Sequence, residues 1–175
     1  MTSDTLKQAW YVLHTKSRFE NVVNEGLLGK SMEVFLPKIT VQSKRKDRKK
    51  MIRVPLFPGY VFVRTDLNPY QHVEIVKTTG AVRLVGNAIG PVPVADSKIE
   101  SLRIMVSTDK PVATGTVFQK GERVMVIAGP FAGVEGIFSR YQGLDRVIVH
   151  LDVLGRFAAV QVDIDEIEKL PEIVT

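Results

Sequence analysis

The most concentrated group of charged side chains in the sequence is a run of lysines and arginines at positions 44–50. This run, KRKDRKK, holds six lysines and arginines against one aspartate. Such side chains contact phosphate oxygens without regard to base sequence. We therefore interpret the run as a DNA-binding element, although a solvated hairpin tip is an ordinary alternative for a charged turn. The predicted contact residues are Lys44, Arg45, Lys46, Arg48, Lys49 and Lys50.

A second group is the segment PLFPGYVFV at 55–63. Pro55 and Pro58 fix φ and remove two backbone donors, so the strand that follows begins abruptly. In that strand Tyr60 and Phe62 share one face, because side chains alternate along a strand. This face is either core beneath helices or an aromatic binding surface, and the pattern alone leaves both open.

The sequence offers no recognisable catalytic constellation. His14, His72 and His150 lie far apart and belong to no metal-ligand or triad motif. A Walker A loop and a dinucleotide fingerprint are both missing from the sequence. There is no cysteine, so disulfides and thiol chemistry are excluded and an oxidising compartment is not required. We expect a protein that is not an enzyme and that needs no metal and no cofactor.

The elements that position these groups begin with WYVLHT at 10–15, which is typical of a buried strand. Ser17 and Glu20 have the spacing of a capping box and predict a helix that Gly29 ends. EVFLPKITVQ and KKMIRVPLFPGYVFVRT then predict one strand each, joined as a hairpin by the basic run.

Two more helices are predicted further along. Asn68 can cap and Pro69 suits the first position of the second helix, and Asp96 can cap the third. With the short strand AVRLVG between them, the order is β, α, β, β, α, β, α. An antiparallel sheet with helices packed on it satisfies this order, so we expect an α+β domain over residues 1–106.

The rest of the chain predicts a different architecture. Residues 107–118 lack periodicity and are rich in Ser, Thr, Pro and Gly, which is typical of a linker. Over residues 119–175, short alternating strands are separated by glycine-bearing turns, which predicts a small β-barrel.

Charge is divided unevenly between the two parts. Residues 1–116 hold 18 Lys and Arg against 10 Asp and Glu, whereas residues 117–175 hold 6 against 9. A basic part favours a polyanion, and an acidic part favours a protein partner. A barrel that grips RNA by itself is expected to be basic, so its charge opposes the alternative of a ribosome- or RNA-binding module.

Several segments together carry a resemblance. WYVLHTKSRFE, PLFPGYVFV, TTGAVRLVGN and GPVPVADSKIESL resemble, in order and spacing, the N-terminal domain of the NusG family of transcription elongation factors. GERVMVIAGPFAGVEGIF and VLGRFAAVQVDIDEIEKL resemble its C-terminal KOW domain, an SH3-like barrel of five strands. The likeness covers nearly all of the chain beyond its first nine residues.

The resemblance implies a transcription elongation factor. Its N-terminal domain would dock on the clamp helices of bacterial RNA polymerase and lie close to DNA at the transcription bubble. The implied docking residues are Phe57, Tyr60, Phe62, Leu84, Ile99 and Leu102. The aromatic face of the motif strand would then be the centre of an interface, where aromatic anchors are common.

The resemblance also implies that the KOW domain recruits a small-subunit ribosomal protein or the Rho termination factor. The implied contacts are Phe131, which AGPFAG is expected to expose on a turn, together with Leu154 and Arg156. Housekeeping members often carry an aromatic residue where this chain has Leu154, and the PLFP motif is closer to the specialised RfaH-like paralogues. The PLFP motif favours an antiterminator; a housekeeping factor that acts with Rho is the alternative.

One specialised member hides its docking surface beneath a helical form of the C-terminal domain. The β-branched residues of DRVIVHLDV and the glycines of AGPFAGVEG favour strands here, so we predict a barrel. No apolar run approaches the roughly 20 residues that span a bilayer, and the first ten residues lack a signal-peptide pattern. We expect a cytoplasmic monomer with no membrane contact.

Overall fold

The computed structural model describes residues 7–44, 50–115 and 121–170. Within these ranges the chain forms three α-helices and fourteen strands, some of them only two residues long. The contacts divide it into two compact units, Met1–Ala95 and Asp96–Thr175. The α+β fold class is confirmed, with helices on an antiparallel sheet in the first unit and an extended antiparallel sheet in the second.

The first unit is built around a four-stranded antiparallel sheet. Its elements in chain order are β1 (Ala9–Thr15), α1 (Glu20–Gly29), β2 (Glu33–Phe35), β3 (Lys38–Gln42), β4 (Met51–Pro55), β5 (Tyr60–Thr65), α2 (Pro69–Val76), β6 (Ala81–Leu84), β7 (Gly86–Asn87) and β8 (Gly90–Pro91). The sheet has the order β2-β5-β1-β6, and β3-β4 and β7-β8 form separate two-stranded ribbons.

One face of the four-stranded sheet carries the core of this unit. Leu13, Val61 and Val63 on the central strands pack with side chains from both helices. Each of them is completely removed from solvent. Burying an aliphatic side chain of this size stabilises a fold by about 1.5–3 kcal/mol. The cluster is completed by Val23 and Leu27 of α1, Ile75 of α2 and Leu84 of β6.

The start of α1 differs from the sequence prediction. The helix begins at Glu20, and the preceding Phe19 provides no side-chain cap. Arg18 has φ +66°, so the chain turns sharply before the helix instead of entering it from Ser17. The predicted capping box is therefore wrong, and the Glu20 carboxylate is available for another partner.

Prolines divide both of the long strands that the sequence predicts. EVFLPKITVQ separates at Pro37 into β2 and β3, and the following segment separates at 56–59 into β4 and β5. Since proline cannot donate to a ladder, each break lets the chain leave the main sheet. The strands β3 and β4 then pair with each other as the expected hairpin, from Lys38 opposite Pro55 to Gln42 opposite Met51.

The second helix begins as predicted. The Asn68 side chain accepts a hydrogen bond from the backbone N–H of Gln71 at 2.9 Å. Pro69 occupies the first helical position, where its missing N–H costs nothing.

The second unit joins one helix to a six-stranded antiparallel sheet. Its elements are α3 (Asp96–Val106), β9 (Ala113–Gly115), β10 (Arg123–Val126), β11 (Glu135–Tyr141), β12 (Leu144–Leu151), β13 (Arg156–Gln161) and β14 (Ile167–Lys169). The order is β14-β10-β11-β12-β13-β9. The five strands predicted for the barrel are β10–β14, and no described residue between 121 and 165 belongs to an α-helix.

The helix α3 packs on β11 and β12. The hydroxyl of Ser101 accepts from the backbone N–H of Glu135 at 2.9 Å and donates to its carbonyl at 3.3 Å. These contacts group α3 with the strands that follow it. The predicted domain boundary at 106 stays a prediction. Part of the predicted linker also has structure, since Ala113–Gly115 pairs with β13 as an edge strand.

Candidate functional site

The turn before β5 fixes the direction of the aromatic motif. The backbone N–H of Tyr60 donates to the carbonyl of Phe57 at 3.2 Å, with Pro58 and Gly59 between them. Gly59 has φ +86°. Proline followed by a glycine with positive φ is the pattern of a type II turn, and only glycine takes that angle at no steric cost. The prolines and glycine of the motif thus form a rigid corner.

A buried carboxylate holds this corner in place. Glu20 is 7% exposed. Its Oε1 atom accepts a hydrogen bond from the backbone N–H of Gly59 at 2.9 Å. The carbonyl of the same glycine accepts from the N–H of Thr15 at 2.8 Å. The corner is therefore tied to α1 on one side and to β1 on the other.

Beyond the corner, rings form a row on the face of the sheet opposite the core. Tyr60 lies 5.4 Å from His14, and Phe62 lies 5.9 Å from Phe35 and 6.4 Å from Phe57, measured between ring centroids. Phe35, Phe57 and Phe62 are buried, whereas Tyr60 and His14 are half-buried. The accessible part of the row is the Tyr60–His14 pair, and the three phenylalanines are buried.

The structure does not gather all six predicted docking residues on one accessible surface. Leu84 pairs with Leu13 across the sheet and belongs to the core face, on the opposite side from Tyr60. Ile99 and Leu102 lie on α3 in the second unit and are 1% and 0% exposed. Among the predicted docking residues only Tyr60 is not fully buried, and it is half-buried.

His14 and Glu20 were not predicted as site residues. His14 becomes a site residue through the register of β1 against β5, which places position 14 opposite position 60 and which the sequence does not show. For Glu20 no local signal exists, since its partner Gly59 lies 39 residues away.

The predicted DNA-binding residues lie at the end of the β3–β4 hairpin. Lys44 and Lys50 are exposed at the mouth of its turn, where the N–H of Ser43 donates to the carbonyl of Lys50 at 2.8 Å. Arg45, Lys46, Arg48 and Lys49 lie outside the described residues. The hairpin is closed at its base by the N–H of Leu56, which donates to the carbonyl of Pro37 at 2.8 Å.

The C-terminal candidates do not lie in one exposed loop. Phe131 is only 5% exposed, so the expectation that its turn exposes it is wrong. The ring lines a cleft with Pro111, Pro130 and the segment 161–163. Leu154 ends a short 3-10 helix and Arg156 begins β13, and both are half-buried.

Among the described residues, the pKa values of His150 and of the Glu74–Lys77 pair are shifted. Burial lowers the pKa of His150, whose ring packs edge-on against Phe157 at 6.2 Å. At the C-terminal end of α2, the Nζ atom of Lys77 lies 2.6 Å from Oε1 of Glu74. This hydrogen bond lowers the pKa of Glu74 and raises the pKa of Lys77. Lys77 is exposed and Glu74 is half-buried, so solvent screens the pair and we assign it a minor structural role.

Two negative findings apply to residues 7–44, 50–115 and 121–170. Over these ranges, no three His, Asp or Glu side chains are grouped so as to hold a metal ion. In the same described parts of the chain, no helix has both the length and the apolar character that crossing a membrane requires.

Comparison with known proteins gives the class of this molecule. A family model described as "Transcription termination factor nusG" matches residues 8–103. Proteins named "Transcription termination/antitermination protein NusG" align with 94–95% of this chain and with 99–100% of their own length. They come from Borreliella burgdorferi at 28% identity, Pseudomonas aeruginosa at 30% and Escherichia coli at 29%.

A solved structure described as "Domain interaction in Thermotoga maritima NusG" covers 94% of this chain and 98% of its own, at 23% identity and a TM-score of 0.48. The family model spans more than half of the sequence. The chain belongs to the NusG family. Its relatives are named as transcription termination/antitermination proteins, and membership indicates a role in transcription.

Proposed function

We propose that this protein is a transcription elongation factor that binds bacterial RNA polymerase through its N-terminal unit and modulates pausing and termination. The observation that carries the proposal is the family match over residues 8–103, supported by relatives that align with over nine-tenths of the chain. Those relatives carry both termination and antitermination in their names. We favour antitermination, because the PLFP motif resembles the specialised paralogues and Leu154 departs from the aromatic residue that housekeeping members often carry.

The half-buried pair of Tyr60 and His14 is the proposed point of contact with the polymerase clamp helices. Tyr60 follows a corner that Gly59 and Glu20 hold in place. Little conformational entropy of the backbone is therefore lost when a partner covers the Tyr60 ring. Rigid aromatic side chains with few rotors are common anchors of protein interfaces.

The other predicted docking residues take different parts in this proposal. Phe57 and Phe62 are buried and pack against each other, so they would hold the strand that carries Tyr60 in place. Ile99 and Leu102 can contact polymerase only in a conformation that exposes them, because both are buried here. Leu84 is left out, since it packs in the core on the other face of the sheet.

Two further contacts complete the proposal. The cations of the hairpin tip would bind DNA phosphates near the transcription bubble, weakly and without regard to sequence. The acidic C-terminal unit would recruit a small-subunit ribosomal protein or Rho. In it, Phe131 would act through the cleft that its ring lines, and Leu154 and Arg156 through their half-buried side chains.

The test is equilibrium binding of the full-length protein to purified bacterial core polymerase. Tyr60→Ala should weaken binding by about 30-fold or more, the loss typical of an interface anchor. Its thermal unfolding midpoint should fall by only a few degrees. Tyr141→Ala is the matched control, because Tyr141 is an exposed tyrosine of the second unit. Equal losses of binding and of stability in Tyr60→Ala would indicate a purely structural role.

A transcription assay distinguishes the two directions of action. An antiterminator should increase read-through of a Rho-dependent terminator on a purified template. A housekeeping factor that acts with Rho should instead increase termination there. If polymerase does not bind at all, ribosomes and RNA become the partners to test, and the transcription proposal is wrong.

A further inference from the structure

The short strand β9 covers one edge of the sheet in the second unit. It runs antiparallel to β13, with Gly115 opposite Phe157 and Ala113 opposite Ala159. The other edge of β13 is paired with β12. In the part of the chain that the structure describes, β9 is the outermost strand on its side of the sheet. If β9 left, β13 would expose a row of unpaired backbone N–H and C=O groups.

The strand β9 is held less firmly than its neighbours. It has three residues, whereas β12 has eight and β13 has six. Ala113 and Thr114 have small side chains, and both are exposed. Short edge segments with few buried apolar contacts are the parts of a fold that open at low free-energy cost. We therefore expect β9 to leave β13 while the other strands stay paired.

The contact between Gly115 and Phe157 shows how closely β9 lies on the sheet. A Cβ atom on Gly115 would lie 2.5 Å from Cζ and 2.6 Å from Cε1 of the Phe157 ring. The ring therefore packs directly against the backbone of β9, which a glycine allows. Phe157 is 9% exposed in this arrangement. Departure of β9 would uncover part of an apolar ring beside the unpaired edge.

The residues just before β9 cover a second feature of the same unit. Lys110 and Pro111 line the cleft to which the ring of Phe131 contributes. Phe131 is only 5% exposed while they are in place. Since Pro111 is two positions before the start of β9, a movement that frees β9 also moves this wall of the cleft. Residues 110–115, which we call the linker strap, thus cover both the edge of β13 and one side of the Phe131 cleft.

We propose that the linker strap is an autoinhibitory segment, which a partner protein must displace from β13 in order to bind the C-terminal unit. The partner would be basic, because residues 117–175 hold 6 Lys and Arg against 9 Asp and Glu. It would add an extended segment to the freed edge and place a side chain in the widened Phe131 cleft. The inference rests on the proposed function, in which this unit recruits a protein.

The tether determines how strongly the linker strap competes. Because the strap belongs to the same chain as β13, it acts as an intramolecular ligand at an effective concentration on the order of millimolar. A partner binds only those molecules whose strap is open, so its apparent dissociation constant is divided by the open fraction. If about one molecule in ten to one in a hundred is open, permanent opening should strengthen binding by about 10- to 100-fold.

The experiment measures binding of the full-length protein to purified small ribosomal subunits. Two variants should open the strap: Gly115→Val, whose side chain would collide with the Phe157 ring, and Thr114→Pro, which removes a backbone donor from β9. Each should bind at least about tenfold more tightly than the wild type. Gly29→Val is the control, since nothing lies within 4 Å of its added Cβ. Circular dichroism checks that each variant is folded.

A locked variant tests the opposite direction. Ala113→Cys with Ala159→Cys places two cysteines directly opposite each other across β9 and β13. The Cα atoms of such a pair are about 4.5–5.5 Å apart, within the span of about 4.4–6.8 Å that a disulfide bridges. The oxidised form should bind the subunits at least about tenfold more weakly than the reduced form. The wild type is the control for the redox treatment, because it has no cysteine.

Hydrogen exchange measures the strap without any partner, and the amides of residues 113–115 should exchange faster than those of β12. The inference is overturned if they exchange equally slowly, if neither opened variant binds more tightly, or if oxidation of the locked variant changes nothing. It is also overturned if no form binds the subunits, or if naked ribosomal RNA gives the same responses. Any of these results with normal polymerase binding contradicts this inference alone, whereas loss of polymerase binding in the wild type contradicts the proposed function.

Discussion

The carboxylate of Glu20 accepts a hydrogen bond from the backbone N–H of Gly59, joining the first residue of α1 to the corner of the aromatic motif. The two residues are 39 positions apart in the sequence. Since Glu20 is buried, its hydrogen bond is made away from water and leaves an unsatisfied N–H if the carboxylate is removed. The orientation of Tyr60 therefore depends on a residue outside its own segment.

Removal of this carboxylate should destabilise the N-terminal unit. Glu20→Ala is expected to lower the free energy of unfolding by about 1–3 kcal/mol, because the Gly59 donor loses its partner. Glu20→Gln should cost less, since an amide oxygen can still accept. Urea denaturation measures both values, with Glu25→Ala as the control on an exposed position of the same helix. An equal effect of the Ala and Gln variants would show that the hydrogen bond contributes little.

Adding a single methyl group at Gly59 should lower the stability of the fold, because the backbone angle there disfavours a side chain. A Cβ atom at Gly59 would lie 3.9 Å from the nearest atom of His14, which is ordinary contact, so space is available. The φ of +86° is what disfavours a side chain. Gly59→Ala should cost about 1–2 kcal/mol of stability, measured by thermal or urea unfolding.

Gly29→Ala is the matched control for this effect. Gly29 ends α1, has open space where a Cβ would be placed, and is not in the left-handed region. Alanine there should be neutral or should stabilise by up to about 1 kcal/mol. If both alanine variants changed stability alike, the backbone angle at Gly59 would not be the cause.

The second unit should lose stability in mild acid. Burial lowers the pKa of His150 below its ordinary value of 6.5, so the unfolded chain binds a proton more readily than the folded one. The stability associated with the neutral ring is complete above pH 6.5 and is lost as pH falls towards the lowered folded value. His150→Gln should flatten the change in unfolding free energy between pH 7 and pH 5. A profile as steep as that of the wild type would exclude His150 as its source.

Neutralisation of the hairpin tip should change how binding responds to salt. Replacing Lys44, Lys49 and Lys50 with glutamine removes three cations. If all three contact duplex phosphates, the slope of log affinity for the elongation complex against log salt should fall by about 2–3. The measurement is a titration between low and physiological salt, and an unchanged slope would remove the tip from the DNA interface.

Local signals in the sequence predicted much of the fold correctly. Asn68 and Pro69 determine the start of α2 through their own chemistry, so neighbouring residues are enough to predict it. The strands of the second unit follow from alternation and glycine turns. The capping box was wrong because Arg18 adopts a left-handed conformation that no spacing rule indicates. The edge strand at Ala113–Gly115 was missed because three residues are too few to show a period.

The candidate site was harder to predict because it depends on pairing between distant strands. Tyr60 and Phe62 were placed correctly on one face, since alternation within β5 is a local property. The side of the sheet on which Leu84 lies depends on the register of β6 against β1, which includes an irregularity between His14 and Thr15. Phe131 was expected on the surface because its turn is rich in glycine, but its ring is buried beside Val162.

The charge of the β3–β4 hairpin has a consequence for how the molecule meets its partners. Residues 38–55 hold eight lysines and arginines and one aspartate, and their net charge of +7 exceeds the +5 of the whole chain. The remainder therefore repels a polyanion that the hairpin attracts. An uneven distribution of this kind gives a protein an electric dipole, and the field of a nucleic acid exerts a torque on it before contact. Productive collisions should then be more frequent than random orientation allows, and salt should slow association more than it speeds dissociation.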